Sequence, residues 1–116
     1  MIRKAEECRK EYREHMRGGE GTIEFTHFLE SNAELNDKGR LFSKITVKPG
    51  CSIGYHVHEN ESEMFYFLEG HGRVQDDDET YNVNAGDSMA TLSGHGHSVE
   101  NTGDTNLVIL AAIVKD

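Results

Sequence analysis

Short runs of β-branched and aromatic residues, separated by clusters of Gly, Asn and Asp, make up the sequence from Thr22 onward. The turn clusters recur roughly every eight to twelve residues, a spacing typical of small all-β domains. No helical pattern lies between the runs, and parallel strands need long crossover connections that are usually helices. The sequence therefore excludes a parallel βαβ sheet and predicts an all-β, antiparallel fold of the jelly-roll kind.

The candidate strands follow directly from these runs. They cover residues 22–28, 40–47, 52–58, 63–69, 72–75, 80–83, 87–91, 96–101 and 107–114. The chain of 116 residues has the length of one domain, which buries roughly two-thirds of the surface that its unfolded chain exposes. We expect the acidic run 76–79 to be a solvated hairpin loop, because it lacks the alternating ligands and the glycine of a calcium loop.

The N-terminal segment differs from the rest of the chain. Residues 1–17 carry six basic and four acidic side chains, a net charge of +2, whereas residues 18–116 carry six basic and 17 acidic side chains, a net charge of −11. Apolar side chains recur in the first segment at helical spacing, namely Ile2, Ala5, Cys8, Tyr12 and Met16. The predicted organisation is a short N-terminal helix with a Gly-rich connector over 1–21, followed by the barrel over 22–116.

The charge and the apolar runs exclude two classes of partner. With 12 basic and 21 acidic residues the net charge is −9, and such a surface repels nucleic acid. The longest apolar run, 107–114, is far shorter than the ~20 residues of a membrane span. Two cysteines, Cys8 and Cys51, do not make a disulfide framework. Together with a charged N-terminus, these features predict a soluble, cytoplasmic protein with free thiols.

The candidate chemistry lies among the histidines. His56 and His58 are two residues apart in a predicted strand, so their side chains share one face and can reach one metal ion. After a turn, Glu63 begins a strand that can return beside them, and His97 lies in a later strand. An HxH pair alone also occurs on ordinary exposed strands. In company with a third histidine and a carboxylate, it suits Mn²⁺, Fe²⁺, Ni²⁺, Co²⁺ or Zn²⁺ better than Mg²⁺ or Ca²⁺.

Two segments resemble the paired motifs of the cupin superfamily. In the first motif, intervals of five, one, four and six residues separate Gly50, His56, His58, Glu63 and Gly70. In the second motif, intervals of five, one, two and three residues separate Gly86, Leu92, Gly94, His97 and Asn101. Leu92 departs from the family, which usually has proline there. The resemblance implies a double-stranded β-helix, or jelly-roll, cupin barrel. It also implies a divalent transition metal held by His56, His58, Glu63 and His97.

Several residues compete for roles near this site. Glu59 and Glu61 are rivals of Glu63 for the acidic ligand, whereas His95 follows a Ser-Gly turn and is more typical of a loop. Cys51 is interpreted as a small buried filler rather than a nucleophile. Strand parity makes Ser52, Phe65 and Phe67 candidates for the pocket wall and turns Tyr55 outward. Arg40 and Arg73 are candidates for binding a substrate carboxylate.

The resemblance leaves the reaction open. It favours a metal-dependent enzyme, an oxidoreductase, lyase or isomerase acting on a small polar or carboxylate substrate, as a dioxygenase or decarboxylase does. The alternative is a non-catalytic cupin that binds or senses a small molecule, and a structural metalloprotein is a third interpretation. We also expect a homodimer, because Met64, Tyr66 and Leu68 form an apolar stripe on the outer face of their strand.

Overall fold

A computed structural model describes all residues from Met1 to Asp116. Its strands are β1 (Arg9–Glu14), β2 (Thr22–Leu29), β3 (Gly39–Val47), β4 (Ser52–Val57), β5 (Glu61–Glu69), β6 (His71–Asp76), β7 (Glu79–Asn84), β8 (Ser88–Thr91), β9 (Gly96–Glu100) and β10 (Leu107–Lys115). The helical content is limited to two 3-10 turns, Ala5–Glu7 and Met16–Gly18. No helix in the structure has the length and apolar character needed to span a bilayer.

The strands form two antiparallel sheets. One sheet has six strands in the order β1-β2-β3-β10-β5-β8, and the other has four in the order β4-β9-β6-β7. Neighbours within each sheet are often distant in the chain, as β10 is from both β3 and β5. The predicted all-β jelly-roll fold is confirmed, and every predicted strand has a counterpart within a few residues of its expected bounds.

The predicted N-terminal helix is wrong. Residues 9–14 form a strand instead, which pairs with β2 in the register Arg9↔His27 to Glu14↔Thr22. The apolar side chains that suggested a helix do not pack as a stripe, since Ile2 is 81% and Tyr12 is 62% exposed. Pairing with the free edge of β2 satisfies the backbone hydrogen bonds of both strands, and this tertiary gain overrides a weak helical pattern.

The hydrophobic core lies between the two sheets. Alternate residues of each long strand point into it, and β5 shows this clearly: Phe65 and Phe67 are buried while Tyr66 and Leu68 are exposed. The largest fully buried apolar side chains are Phe25, Phe67, Ile23, Ile45, Leu107 and Ile109. A strand period of two therefore decides which residues fill the core and which face solvent.

Specific contacts define two of the loops that connect strands. Asp76 pairs with Glu79 across the β6–β7 hairpin, so the acidic run is a hairpin loop. Asn101 is buried and fastens the loop that follows β9: its amide nitrogen donates to the carbonyl oxygens of Val47 and Thr105, both at 2.8 Å. Its side-chain oxygen accepts from the Gly103 backbone N–H at 2.8 Å. Asn101 thereby stabilises the loop between β9 and β10.

Candidate metal centre

Three histidines and one glutamate meet between the two sheets. His56 in β4 and His97 in β9 are direct cross-strand partners in the four-stranded sheet. His58 follows β4 and stays beside β9, because its backbone N–H donates to the His95 carbonyl at 3.0 Å. Glu63 comes from β5 in the opposite sheet. Both sheets therefore contribute donor atoms to one point in the interior.

The donor atoms of the four side chains lie close together. His97 Nε2 is 3.2 Å from the Nε2 atoms of both His56 and His58. Glu63 Oε1 is 3.1 Å from the Nε2 atoms of His58 and His97. All four donors lie within 4.8 Å of one another. The four residues form a cluster that is able to hold one metal ion.

The other ring nitrogen of each histidine has a protein partner. His56 Nδ1 is 2.8 Å from the Gly54 carbonyl oxygen, and His58 Nδ1 is 2.8 Å from Glu61 Oε2. Both acceptors carry no proton, so each Nδ1–H is the donor. His97 Nδ1 lies 2.7 Å from the Thr91 hydroxyl, which can accept in the same way. A neutral ring with its proton on Nδ1 presents the Nε2 lone pair to the centre. This is the tautomer that a metal ligand bound through Nε2 needs.

The spacing of these donors fits a first-row ion. Such ions bind imidazole nitrogen and carboxylate oxygen at about 2.0–2.2 Å, so two donors at right angles around one ion stand about 3 Å apart. The observed separations of 3.1 and 3.2 Å match this value. The donor set, three imidazoles and one carboxylate without a thiolate, is also that of borderline transition metals.

The electrostatics of the centre favour a cation. The Glu63 carboxylate, followed by Glu61, raises the pKa of His58 against the effect of burial. Burial lowers the pKa of His56, which keeps that ring neutral. Burial alone would raise the pKa of Glu63, but its contacts with His58 and His97 outweigh burial and hold the pKa below its usual value. A centre that stabilises a proton beside Glu63 also stabilises a positive metal ion.

A small cavity adjoins the donor atoms. Its volume is about 70 Å³, far below the ~300–1,000 Å³ of pockets for drug-sized ligands. The apolar part of its wall consists of Met16, Phe25, Leu41, Ile45, Ile53, Phe65, Val99 and Ile113. Phe65 also stacks on the His97 ring, with centroids 5.1 Å apart. The polar part consists of the cluster itself together with Arg13, Arg17, Arg40 and Ser98.

The structure separates the rival acidic residues. Glu61 lies on the outer side of His58, where it accepts from Nδ1 and binds Arg40 through two contacts of 2.6 and 2.7 Å. These contacts hold the pKa of Glu61 at about 2, the hydrogen bond from Arg40 being the main cause. Glu59 is exposed and has no side-chain partner. Glu63 is the carboxylate that lies beside the Nε2 atoms of His58 and His97.

The remaining candidates fall into two groups. Phe65 lines the cavity as predicted, whereas Phe67 is buried in the core and Ser52 accepts from the Glu20 backbone at 2.9 Å. His95 lies outside the cluster, with Nδ1 2.5 Å from Asp77 Oδ2. Arg73 pairs with Glu100 on the surface at 2.9 Å and does not line the cavity. Tyr55 is exposed, and Cys51 is a partly buried free cysteine.

Several residues at the site were missed by the sequence analysis. Thr91 orients His97 from β8, and it is the cross-strand partner of Glu63. Gly54 supplies the carbonyl that orients His56. Arg13 and Arg17 reach the cavity from the segment that had been assigned to a helix. Strand parity pointed to neither arginine, because their position depends on the docking of the N-terminal segment.

Comparison with known proteins gives a consistent result. The family model described as "Cupin domain" matches residues 43–113. The "Oxalate-binding protein" of Thermotoga maritima is 41% identical over 114 residues, covering 98% of this chain and 93% of that protein. Oxalate decarboxylase OxdC of Bacillus subtilis is 38% identical over 77 residues, which covers 62% of this chain but only 20% of that enzyme.

Solved structures agree with the fold. The crystal structure of a predicted oxalate decarboxylase from Thermotoga maritima superimposes with a TM-score of 0.94 at 40% identity and covers 100% of both chains. A Thermus thermophilus protein, TT1209, superimposes with a TM-score of 0.73 at 19% identity, covering 98% of this chain and 96% of its own. The second similarity concerns the fold alone.

Proposed function

We propose that the chain, which belongs to the cupin family and carries a cluster of three histidines and one glutamate of which all but His56 are buried, is a metal-dependent binder of a small carboxylate. His56, His58, Glu63 and His97 would hold one divalent first-row ion, Mn²⁺, Fe²⁺, Ni²⁺, Co²⁺ or Zn²⁺. The observation that carries this proposal is that the donor atoms of all four side chains lie within 4.8 Å of one another while each Nδ1 atom is engaged elsewhere.

The chain's own residues prepare the site. Gly54 and Glu61 accept from the Nδ1 atoms of His56 and His58, and the Thr91 hydroxyl can accept from that of His97, so the rings are already oriented with Nε2 towards the centre. Glu63 contributes the negative charge of the donor set. When bound, an ion of this class supplies Lewis acidity and exchangeable positions for carboxylate oxygens. The apolar side chains of the wall lower the local polarity, which strengthens the electrostatic interactions inside the cavity.

Oxalate is the ligand that we propose first. The relative that shares 41% identity over nearly the whole chain is named for oxalate binding. A cavity of about 70 Å³ suits an anion of only a few non-hydrogen atoms. The arginines at the cavity wall favour a negatively charged ligand, in a chain whose net charge of −9 otherwise repels anions.

Oxalate decarboxylation is the second candidate, supported by the similarity to a decarboxylase. Conversion of oxalate to formate and CO₂ consumes one proton, which must reach the carbon that loses CO₂. Beyond the cluster, the polar cavity wall consists of Arg13, Arg17, Arg40 and Ser98. Arginine does not give up its proton in proteins, so the wall offers no strong acid. This observation favours binding over turnover.

The proposal is tested by metal content and calorimetry. Protein produced in metal-supplemented medium should contain stoichiometric first-row metal by elemental analysis. Oxalate should then raise the melting temperature of metal-loaded protein and leave chelator-treated protein unchanged. An assay for released formate separates binding from decarboxylation. Absence of stoichiometric metal from the wild type would contradict the metal site, and metal-loaded protein indifferent to oxalate would contradict the ligand.

We propose that the protein is a homodimer. The outer face of the six-stranded sheet carries an apolar patch that includes Phe42, Met64, Tyr66, Leu110 and Ala112. The N-terminal strand lies at one edge of that sheet, separated from β5 by β2, β3 and β10, and does not cover the patch. Light scattering should give about twice the chain mass of 13.0 kDa. A mass near that of one chain would contradict the dimer.

We also propose a cytoplasmic location. The support is the pair of free cysteines, Cys8 and Cys51, which form no disulfide and suit a reducing compartment. Fractionation of the source cells should find the protein with cytoplasmic markers. Its recovery in an extracytoplasmic fraction would contradict the assignment.

A further inference from the structure

Three arginines line the cavity, but only one of them is free of a carboxylate. Arg40 binds Glu61, and Arg13 binds Glu11 while lying 4.3 Å above the Phe25 ring. Arg17 lines the same cavity and makes no ion pair or side-chain hydrogen bond. The arginines outside the cavity, Arg3, Arg9 and Arg73, are all paired with carboxylates. In a chain of net charge −9, an unpaired guanidinium at a cavity is an exception.

The backbone of Arg17 is held firmly against the strand that carries His56. The turn Met16–Gly18 packs on β4, and a Cβ atom added to Gly54 would lie 2.0 Å from the Arg17 carbonyl oxygen. Gly19 approaches β4 equally closely, since an added Cβ would lie 2.2 Å from the Ser52 carbonyl oxygen. Only glycine permits such contacts between backbones. The turn is therefore a rigid platform for the Arg17 side chain.

Arg17 also adopts an unfavourable backbone conformation. Its φ and ψ angles are 55° and 30°, in the left-handed region. For a residue other than glycine this conformation carries strain that the surrounding structure must overcome, and such residues cluster at ligand-binding sites. The Gly54 and Gly19 contacts supply that constraint here. A strained backbone, an unpaired charge and a place on the cavity wall coincide at one residue.

We propose that Arg17 is a specificity residue that selects doubly charged carboxylates over singly charged ones. The inference rests on the proposed function, in which the cluster holds a divalent ion. The ion, the Glu63 carboxylate and one monocarboxylate together carry no net charge. When a dicarboxylate replaces the monocarboxylate, the ion, Glu63 and the ligand together carry one negative charge. An uncompensated charge is unfavourable in a small, partly apolar cavity. The Arg17 guanidinium supplies the missing positive charge and two parallel N–H donors for a carboxylate.

Arg13 and Arg40 do not supply this charge. Each is already neutralised by a glutamate, Glu11 for Arg13 and Glu61 for Arg40. If Arg40 moved to a ligand, Glu61 would lose the group that holds it beside His58. If Arg13 moved, it would lose both its contact with Glu11 and its place above the Phe25 ring. Arg17 can bind an anion without breaking an existing contact. The charge balance therefore assigns the selectivity to Arg17 alone.

The test compares dianions and monoanions on metal-loaded protein by calorimetry, with oxalate and malonate against formate and acetate. Arg17→Gln should weaken oxalate binding by about 10–100-fold, the range expected for loss of a charge-assisted pair. Formate binding and metal affinity should change by less than about threefold on the same scale. Arg73→Gln is the matched control, because Arg73 pairs with Glu100 on the surface. It should behave as the wild type with every anion.

A second readout follows Arg17 directly. In protein labelled with ¹⁵N-arginine, the Nε–H signal that disappears in Arg17→Lys should shift on addition of oxalate and remain in place with formate. Wild-type oxalate affinity in Arg17→Gln, or an unmoved signal at saturation, would overturn the inference while the proposed function stands. If malonate rather than oxalate binds and shifts the signal, the inference stands and oxalate is the wrong ligand. If the wild type binds neither dianion, both proposals are wrong.

Discussion

His27 and the three histidines of the cluster differ in how their ring nitrogens are used. His27 has protein partners on both sides: Nε2 lies 2.7 Å from Glu11 Oε1, and Nδ1 lies 2.7 Å from the Ser43 hydroxyl. The histidines of the cluster have an outer partner only at Nδ1. His97 Nε2 lies 3.2 Å from the Nε2 atoms of His56 and His58, and Glu63 Oε1 lies 3.1 Å from the Nε2 atoms of His58 and His97.

The partners of the two ring nitrogens distinguish a structural histidine from a histidine that can bind a cation. At His27, Nε2–H donates to the carboxylate and Nδ1 accepts from the Ser43 O–H, so a neutral ring is fully satisfied. This histidine links β1, β2 and β3. At the cluster, neutral rings would crowd several lone pairs around one point, which is stable only with a positive charge there. The first arrangement is structural, and the second is suited to a cation.

Exchange of one histidine in each group should have the largest effect. His97→Gln removes a donor from the centre, so metal retention after purification should fall from stoichiometric to near background. His27→Gln should retain the metal, because His27 does not contribute to the cluster. Elemental analysis measures both, and circular dichroism checks that each variant is folded. Equal loss of metal from both variants would break the distinction between the two groups.

A smaller loss of metal affinity is expected from Glu61→Gln. The glutamine keeps an acceptor near His58 Nδ1 but removes the charge that raises the basicity of the ring. Metal affinity should fall by about 10–100-fold, as for other outer partners of metal ligands, while saturating metal still binds. Competition with a chelator measures this change. Glu59→Gln is the matched control, since Glu59 is exposed. An equal effect at Glu59 would contradict a specific role for Glu61.

The structural histidine should matter for stability instead. His27→Phe leaves the Ser43 hydroxyl, which is 0% exposed, without a partner. The free energy of unfolding should fall by about 1–3 kcal/mol, as measured by denaturant titration of metal-free protein. Adding Ser43→Ala should recover part of that loss, because both polar partners are then removed. Metal affinity should stay near the wild-type value. If His27→Phe lost metal and kept the wild-type free energy of unfolding, the structural role assigned to His27 would be wrong.

The smallest effect concerns the pH dependence contributed by Glu11. Hydrogen bonds from Arg13 and then His27 lower the pKa of Glu11 from 4.5 to about 2. A carboxyl with a depressed pKa in the folded state stabilises the protein above its unfolded pKa and loses that contribution as pH falls towards the folded pKa. The contribution should therefore be full above pH 4.5 and decline towards about pH 2. With Glu11 partly exposed, it should amount to about 1 kcal/mol or less.

Denaturant titrations of metal-free protein at several pH values measure this effect. Glu11→Gln should flatten the acid side of the stability curve. Glu14→Gln is the control, because Glu14 is an exposed residue of the same strand and has no ion pair. A curve that is unchanged in Glu11→Gln would show that the contacts of the Glu11 carboxylate with Arg13 and His27 contribute nothing to the stability of the folded state.

The sequence alone determined the parts of the protein that depend on local periodicity. Successive side chains of a strand alternate between faces, so the HxH spacing placed His56 and His58 together, and the alternation around Phe65 identified the core face. The spacing of the two motifs then brought Glu63 and His97 into the same expected set. The all-β jelly roll followed from the short strands and frequent turns.

Only the tertiary structure decided which distant elements meet. The spacing of Tyr12 and Met16 fits a helix, yet residues 9–14 pair with the edge of β2, since backbone pairing outweighs a weak local preference. The contact of Thr91 with His97 and the place of Arg17 on the cavity wall depend on the same kind of long-range assembly. Local geometry is set by neighbouring residues, whereas these contacts form between segments whose approach is decided by the free energy of the whole fold.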